Sequence, residues 1–322
     1  MDQQEQTSAE LIATPLYLYA ETPLHAGVGF VGDGPVDLPI QREAATGYPV
    51  VRSSTLKGTL RAAFRDVAAS EEVIALFGSE PTAAGNAGQD EAQEKAAEQM
   101  GSLVIGDAQL LLFPVAALLD SFAWITSADI LARFQREVQR RGVDLKAPTV
   151  PAPGEGSAWT PPQSRLVTEQ GELVLEEFTF QARPHEAMGT IGAWFAKVIF
   201  PQDDAYAYWR QRVRSNLVIL PEEAFRHFIT TGTEVVQRIR IDPATGIAQA
   251  GALWSEEYVP AETLFYAMIG ARAPILSLPA LHTGKDVLAL LQAKVGGYLS
   301  VGGGRNLDRG AMRLRWAKEF TP

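Results

Sequence analysis

Residues 24–64 read LHAGVGFVGDGPVDLPIQREAATGYPVVRSSTLKGTLRAAF, which joins a glycine-rich loop, a conspicuous aspartate and a basic helix in one span. The apolar run before it, LIATPLYLYAE at 11–21, reads as a buried strand, and Thr22-Pro23 ends it because proline cannot continue a central ladder. Gly27-Val28-Gly29-Phe30-Val31-Gly32 then matches G-x-G-x-x-G, the signature of a dinucleotide fold. Such a fold also needs a helix opening inside the motif and an acid about 20 positions later at the end of a second strand. Neither is present, and Pro35 and Pro39 keep a helix from starting. The glycines instead let a ligand come close to the backbone, while the two prolines stiffen the segment that carries Asp37.

After the loop, Ser53 or Ser54 is predicted to cap a helix running through Leu56, Leu60 and Phe64. Lys57, Arg61 and Arg65 recur every four residues and share a face of it. Gly58 inside a helix costs about 1 kcal/mol relative to alanine, so it marks a place where another backbone, protein or nucleic acid, approaches. The helix N-terminus adds partial positive charge. Together these features describe a surface for a polyanion backbone with an acid beside it.

The chain has 322 residues, 46% of them hydrophobic, enough for a substantial core in one large domain or two small ones. No secretory leader pattern and no uninterrupted apolar run of about 18 residues is visible, so a soluble, cytosolic protein is expected. With no cysteine and only His25, His185, His227 and His282, disulfides and thiolate zinc sites are excluded and a histidine-rich metal site is disfavoured. A hard ion held by carboxylates, magnesium or manganese, stays open. The net charge of −10 argues superficially against nucleic acid. Much of it is pooled, however: between 71 and 100 seven acids face only Lys95, whereas from 291 to 322 six cations face Asp308 and Glu319.

Downstream, 71–77 reads as helix and 78–100 as an exposed polar insertion. Strands are predicted at 102–113 and 122–126, followed by a helix capped by Ser127, with Ile130, Phe134 and Val138 inside and Arg133, Arg136 and Arg140 outside. The proline-rich 143–165 reads as a surface loop. Val235–Ile241, the turn Asp242-Pro243-Ala244-Thr245-Gly246 and Ile247–Trp254 form a predicted hairpin with Arg238 and Arg240 on one face. A helix near 285–294, a strand at 298–301, the loop Gly302-Gly303-Gly304-Arg305 and a last strand through Trp316 complete the chain. Strands and helices without regular βαβ alternation indicate an α+β fold.

Several segments resemble RAMP proteins of type III CRISPR effectors, and within that superfamily the backbone (fourth Cmr) subunit of type III-B complexes. They are His25-Ala26-Gly27, residues 36–43, Thr46-Gly47-Tyr48-Pro49-Val50, residues 53–61 and 103–115, Phe122-Ala123-Trp124 and residues 251–260. The resemblance implies a single RAMP domain over 1–322 with a ferredoxin-like, RNA-recognition-motif-type core, large insertions at 78–100 and 143–165, and a thumb-like hairpin at about 233–258. It implies guide-RNA binding through His25, Arg42, Ser53, Ser54, Lys57, Arg61, Gly303, Gly304 and Arg305. It further implies cleavage of complementary target RNA by Asp37, with a divalent metal at Asp37 and support from Glu256 and Tyr258. The partners would be guide and target RNA, further copies of the chain in a filament and other type III-B subunits, without a membrane. Two other readings stay open: a scaffold in which Asp37 only caps a turn, and a guide-processing endoribonuclease with His25 as acid.

Overall fold

A computed structural model describes residues 11–31, 34–79, 99–146, 148–276, 278–317 and 320. Residues 80–98, most of the expected acidic insertion, lie outside the described residues, as do Gly32 and Asp33. The N-terminal elements are β1 (Ile12–Ala20), β2 (Val50–Val51), α1 (Ser53–Arg65), α2 (Ser70–Phe77), β3 (Leu103–Ile105) and β4 (Ala108–Ala116). Next come β5 (Phe122–Ser127), α3 (Ala128–Arg140), β6 (Ser157–Thr160), β7 (Glu172–Leu175), β8 (Phe178–Pro184), α4 (Glu186–Trp194), α5 (Ala207–Asn216), β9 (Leu217–Leu220) and α6 (Glu222–Thr231). The chain finishes with β10 (Glu234–Ile241), β11 (Ala248–Tyr258), β12 (Leu264–Ala271), α7 (Gly284–Val295), β13 (Tyr298–Ser300) and β14 (Ala311–Trp316).

β14, β1, β12 and β4 lie side by side in that order, each antiparallel to its neighbour. Because α1 falls between β1 and β4 and α7 between β12 and β14, the chain traces two split βαβ units, the arrangement of a ferredoxin-like core. The fold is therefore α+β, and β5 to β11 are inserted between β4 and β12. Part of the insertion extends the sheet in the order β5-β9-β6-β8-β7, while β10 and β11 form a separate two-stranded hairpin. Among the described residues no helix is long and apolar enough to cross a membrane.

The central strands are covered on both faces, as their unbroken apolar runs require. Tyr17 and Tyr19 of β1 point to one side, where Tyr17 meets Phe134 of α3 and Tyr19 meets Phe200 and Tyr206. Leu16 and Leu18 alternate to the other face and are fully buried there. Ser127 caps α3 as its sequence predicts, its hydroxyl accepting from the Ile130 N–H, and Ile130, Phe134 and Val138 are buried.

Three local expectations change. The proline-rich 143–165 is not only a loop, since Ser157–Thr160 form β6, parallel to β8 and bridged to β9. These four residues contain no proline and so keep the N–H donors that Pro153, Pro161 and Pro162 around them lack. Neither serine caps α1: the N-cap is Arg52, and Asp107 supplies the acceptor, taking the Ser53 N–H at 2.6 Å and the Arg52 guanidinium at 3.1 Å. Asp107 reaches that position because Gly106-Asp107 interrupts the predicted strand between β3 and β4.

Phe134 is fully buried, with its ring 4.7 Å from Tyr266 and 5.8 Å from Trp194, centroid to centroid. Phe134→Ala is expected to lower the unfolding free energy by about 3–5 kcal/mol, read from urea denaturation followed by circular dichroism.

Candidate active site and nucleic-acid interface

β11 is paired along one edge with β10, and its other edge receives the loop that follows β1. The Leu38 N–H donates to the Ser255 carbonyl and the Glu257 N–H to the Leu38 carbonyl, both at 3.0 Å, and Leu24 and Val259 exchange two bonds at 2.9 Å. This pairing brings Asp37 onto Ser255. The Asp37 Oδ2 accepts the Ser255 N–H at 2.7 Å and its hydroxyl at 2.8 Å, and the Asp37 N–H donates to the Ser255 Oγ at 2.9 Å. Those donors hold the Asp37 carboxyl below the usual carboxylate range, so it is ionised at neutral pH. Among the described residues no other residue donates to Oδ1, which leaves one oxygen for a ligand.

Two residues on, Glu257 sits in the interior and is satisfied from three directions. Ile40 donates its N–H at 3.0 Å, Thr233 its hydroxyl at 2.7 Å and Arg42 its guanidinium at 2.5 Å. Burial would raise the carboxyl, but these donors outweigh it and leave Glu257 below its ordinary range. Arg42, which the resemblance places among the RNA-binding residues, is thus paired within the chain. Its remaining donors go to the Gly47 carbonyl at 2.8 Å, the Ile229 carbonyl at 3.4 Å and the Thr233 hydroxyl at 3.5 Å. A buried carboxylate needs a partner, and among the described residues Arg42 is the cation that pairs with it.

Side chains alternate along a strand, so Ser255 and Glu257 face the Asp37 loop while Trp254, Glu256 and Tyr258 face the other way. The structure thus does not gather Asp37, Glu256 and Tyr258 into one cluster. Glu256 accepts the Trp254 indole N–H at 2.8 Å, the Tyr258 hydroxyl and the Arg238 Nε at 3.3 Å. Its burial is outweighed by those bonds and it lies below the usual range, whereas burial and the bond to Glu256 push Tyr258 up and keep it protonated. Arg309 lies over the Tyr258 ring at 5.1 Å. His25 closes this side, its ring 5.5 Å from that of Tyr258. The Glu257 carbonyl, 2.7 Å from His25 Nδ1, can only accept, so Nδ1 carries a proton and Nε2 is the nitrogen left for other contacts.

The second glycine loop lies against the first. The Gly303 N–H donates to the His25 carbonyl at 3.0 Å and the Gly310 N–H to the Pro23 carbonyl at 2.9 Å. A Cβ on Gly302 would stand 2.2 Å from the His25 oxygen, and its φ of +79° is in the left-handed region, so only glycine fits that approach. Arg305 projects outward and Gly304 is half-buried. On the opposite flank, Gln41 ties the first loop to α1, donating to the Gly27 carbonyl and the Thr55 hydroxyl, both at 3.1 Å, and accepting the Arg52 N–H at 2.8 Å. Lys57 is half-buried, and Ser54 is exposed near the helix start, whereas the Ser53 N–H is taken by Asp107. Gly58 is exposed and a Cβ there would meet nothing within 4 Å, so the close approach its presence suggested is not made by this chain.

Among the described residues no group of three or more histidines or acids is placed to hold a metal ion. Asp37 offers one oxygen, and Glu256, the nearest carboxylate of β11 in sequence to Ser255, has its oxygens occupied. The donor set does not fit an all-protein cage. It fits a hard cation that keeps most of its water and completes its shell with substrate oxygens. Ser255, Glu257, Arg309 and Gln41 were not singled out by sequence reading. Ser255 and Glu257 did share the alternating segment with Glu256 and Tyr258, and that alternation was the signal available.

The family model for the RAMP superfamily matches residues 17–313. The chain is 33% identical over 307 residues to the CRISPR system Cmr endoribonuclease Cmr4 of Pyrococcus furiosus, covering 94% of this chain and 95% of that one. The crystal structure of oligomeric Cmr4 from the same organism superposes with a TM-score of 0.68 at 25% identity, over 96% of this chain and 99% of that one. A chain in the cryo-EM structure of the type III-B Cmr-beta complex bound to cognate target RNA shares the fold, with a TM-score of 0.65 at 21% identity over 95% and 97% of the two chains.

The Arg42–Glu257 pair generates a stability prediction. Glu257→Gln is expected to destabilise the fold by on the order of 3 kcal/mol at neutral pH, the low end for breaking a buried pair because Arg42 keeps some solvent. Since the folded carboxyl titrates below its unfolded value of about 4.3, its contribution is full above that pH and disappears as the pH falls through the folded value. The gap in urea midpoint between wild type and variant should therefore be widest near neutrality and close in acid.

Proposed function

The chain belongs to the RAMP superfamily, and we propose from that premise that it is the guide-RNA-binding backbone subunit of a type III-B CRISPR effector that cleaves complementary target RNA. Copies stack head to tail along the guide, since a heterologous interface that does not close on itself generates an open helix. Sequence is read by pairing between guide and target, and the protein supplies contacts to the backbone. Cuts then recur at the spacing of the subunits. The observation that carries this reading is the Asp37 carboxylate, ionised and with one oxygen that accepts from no other residue among those described, at the base of a projecting hairpin and beside two joined glycine loops.

Guide phosphates lie along Lys57, Arg61 and the start of α1, and on the amides of Gly303 and Gly304 with Arg305 beside them. His25 joins that surface through Nε2. Gly58 leaves the flank of α1 open for the strand to approach closely. The hairpin acts as the thumb: Val235, Ile239 and Leu253 are exposed on the face that Ser255 and Glu257 share lower down, on the Asp37 side. An apolar face in that place suits a wedge that splays one target nucleotide.

With the nucleotide splayed, its ribose 2′-oxygen attacks the adjacent phosphorus in line. The 2′-hydroxyl proton passes to Asp37, the bond to the 5′-oxygen breaks, and that oxygen takes a proton from water, leaving a 2′,3′-cyclic phosphate and a 5′-hydroxyl. Asp37 accepts the hydrogen bond of the 2′-hydroxyl through Oδ1 and fixes the direction of attack. Asp37 would hold a hydrated divalent ion, which would supply stabilisation of the charge that develops on phosphorus. Glu256 and Tyr258 contribute by holding Arg238 and packing His25 in place.

In the reconstituted guide-bound complex, Asp37→Asn is expected to slow cutting of a labelled complementary RNA by about 100-fold or more, with target affinity unchanged. Cutting in the wild type should need magnesium or manganese and stop with chelator. Binding without cuts in both proteins would identify a scaffold. Lys57→Ala should weaken guide binding and reduce the slope of log affinity against log salt by about 0.7, the share of one single-strand phosphate contact, measured by filter binding across a salt series.

A further inference from the structure

Among the described residues Ser255 holds the Asp37 side chain, and the Asp37 backbone N–H is directed to that same partner. Three hydrogen bonds join Asp37 and Ser255: Ser255 N–H to Oδ2 at 2.7 Å, Ser255 hydroxyl to Oδ2 at 2.8 Å and Asp37 N–H to Ser255 Oγ at 2.9 Å. The Ser255 hydroxyl donates its one proton and accepts one, so its rotation is fixed from both sides. Ser255 itself is 5% exposed and lies on β11, opposite Gln237 in the hairpin register. The Ser255 carbonyl takes the Leu38 N–H at 3.0 Å, so backbone and side chain bind the same loop. We propose that Ser255 is a positioning residue that locks the Asp37 carboxylate to the base of the hairpin, so that placing the hairpin on a target also places the reactive oxygen Oδ1.

The geometry explains why a serine serves here. Asp37 is joined to β11 by a short run of backbone bonds, with Pro35 and Pro39 on either side. Without the hydroxyl, Oδ2 would keep only the Ser255 N–H, and the carboxylate would be free to rotate about that one bond. Rotation exchanges Oδ1 and Oδ2 and removes the fixed direction of the oxygen that meets the ribose. Displacement of a reacting group by about 1 Å can cost about 100-fold in rate. Target affinity does not depend on this alignment, because it comes from guide pairing and phosphate contacts.

The inference rests on the reading of Asp37 as the catalytic carboxylate. Its test is single-turnover cleavage by the assembled guide-bound complex for wild type, Ser255→Ala, Ser255→Cys, Ser255→Thr and Asp37→Asn, each with target affinity and melting temperature measured in parallel. The expected result is a maximal rate about 10- to 100-fold lower in Ser255→Ala, with target affinity and melting temperature close to wild type. Ser255→Cys, which keeps the size and only a weak donor, should fall between, and Ser255→Thr, which keeps the hydroxyl, should restore most of the rate. Wild-type rates in Ser255→Ala and Ser255→Cys while Asp37→Asn is inactive would overturn the positioning role and leave the catalytic reading standing. Full activity in Asp37→Asn would overturn that reading itself. Loss of rate that follows loss of melting temperature across the serine series, unrescued by threonine, would assign Ser255 to the fold alone.

Discussion

The site depends on the burial of one carboxylate. Glu257 is in the interior of the junction between the hairpin and the core, and a charge there is tolerated only where donors surround it. Ile40 comes from the loop after β1, Thr233 from the entry to β10, and Arg42 from the turn beyond the loop. Satisfying Glu257 therefore draws the 40–42 segment and the entry to β10 to one point, and the Glu257 carbonyl adds His25 by accepting the hydrogen bond of its Nδ1–H. Once Ile40 is fixed, Leu38 has to run along the edge of β11, and Asp37 arrives at Ser255. A network that serves the fold thereby sets the positions of Asp37 and His25.

Much of the architecture was legible because its causes are local. The apolar run of β1, the Ser127 cap of α3 and the Asp-Pro-Ala-Thr-Gly turn of the hairpin are each fixed by a few neighbouring residues. The candidate site was legible in part for the same reason: the stiffened loop around Asp37 and the glycine loop at 302–304 are visible in sequence. What could not be read were the long-range partners. Asp37 and Ser255 are 218 positions apart and Arg42 and Glu257 215, so nothing around Arg42 distinguishes a cation bound for the interior from one bound for phosphate. The same holds for Asp107, whose capping of α1 replaces a serine that looked sufficient by local rules. In the proline-rich 143–165, composition concealed a four-residue strand because pairing partners, not propensity, decide whether so short a segment joins a sheet.

Net charge is a poor guide to partners here for a related reason. Cations that looked equivalent in sequence have different roles in the fold. Arg42 and Arg133 are paired inside the chain with Glu257 and Glu43, at 2.5 Å and 2.8 Å. Arg238 and Arg309 are arranged around Tyr258. Lys57 and Arg305 form no ion pair among the described residues, and they stand on the two structures, α1 and the second glycine loop, that the backbone of an RNA strand would touch. An acidic protein can present such a surface because potential follows the local distribution of charge and falls off within about 8–10 Å at ordinary salt.

The alternation of β11 divides its work between two faces. Ser255 and Glu257 hold the loop of Asp37, while Trp254, Glu256 and Tyr258 close a separate hydrogen-bonded network with Arg238 and pack against His25. A shift of one residue in the pairing of β10 with β11 would exchange these faces, so the register of the hairpin is tied to the placement of both groups. Exposed Ile239 and Leu253 continue the Asp37 face outward toward the tip, and exposed Val235 lies on it opposite Glu257. One strand thus connects the surface suited to displacing a nucleotide with the support of the carboxylate suited to acting on it. Because β11 leads within a few residues into β12 at the centre of the sheet, that connection is anchored in the most deeply buried part of the molecule.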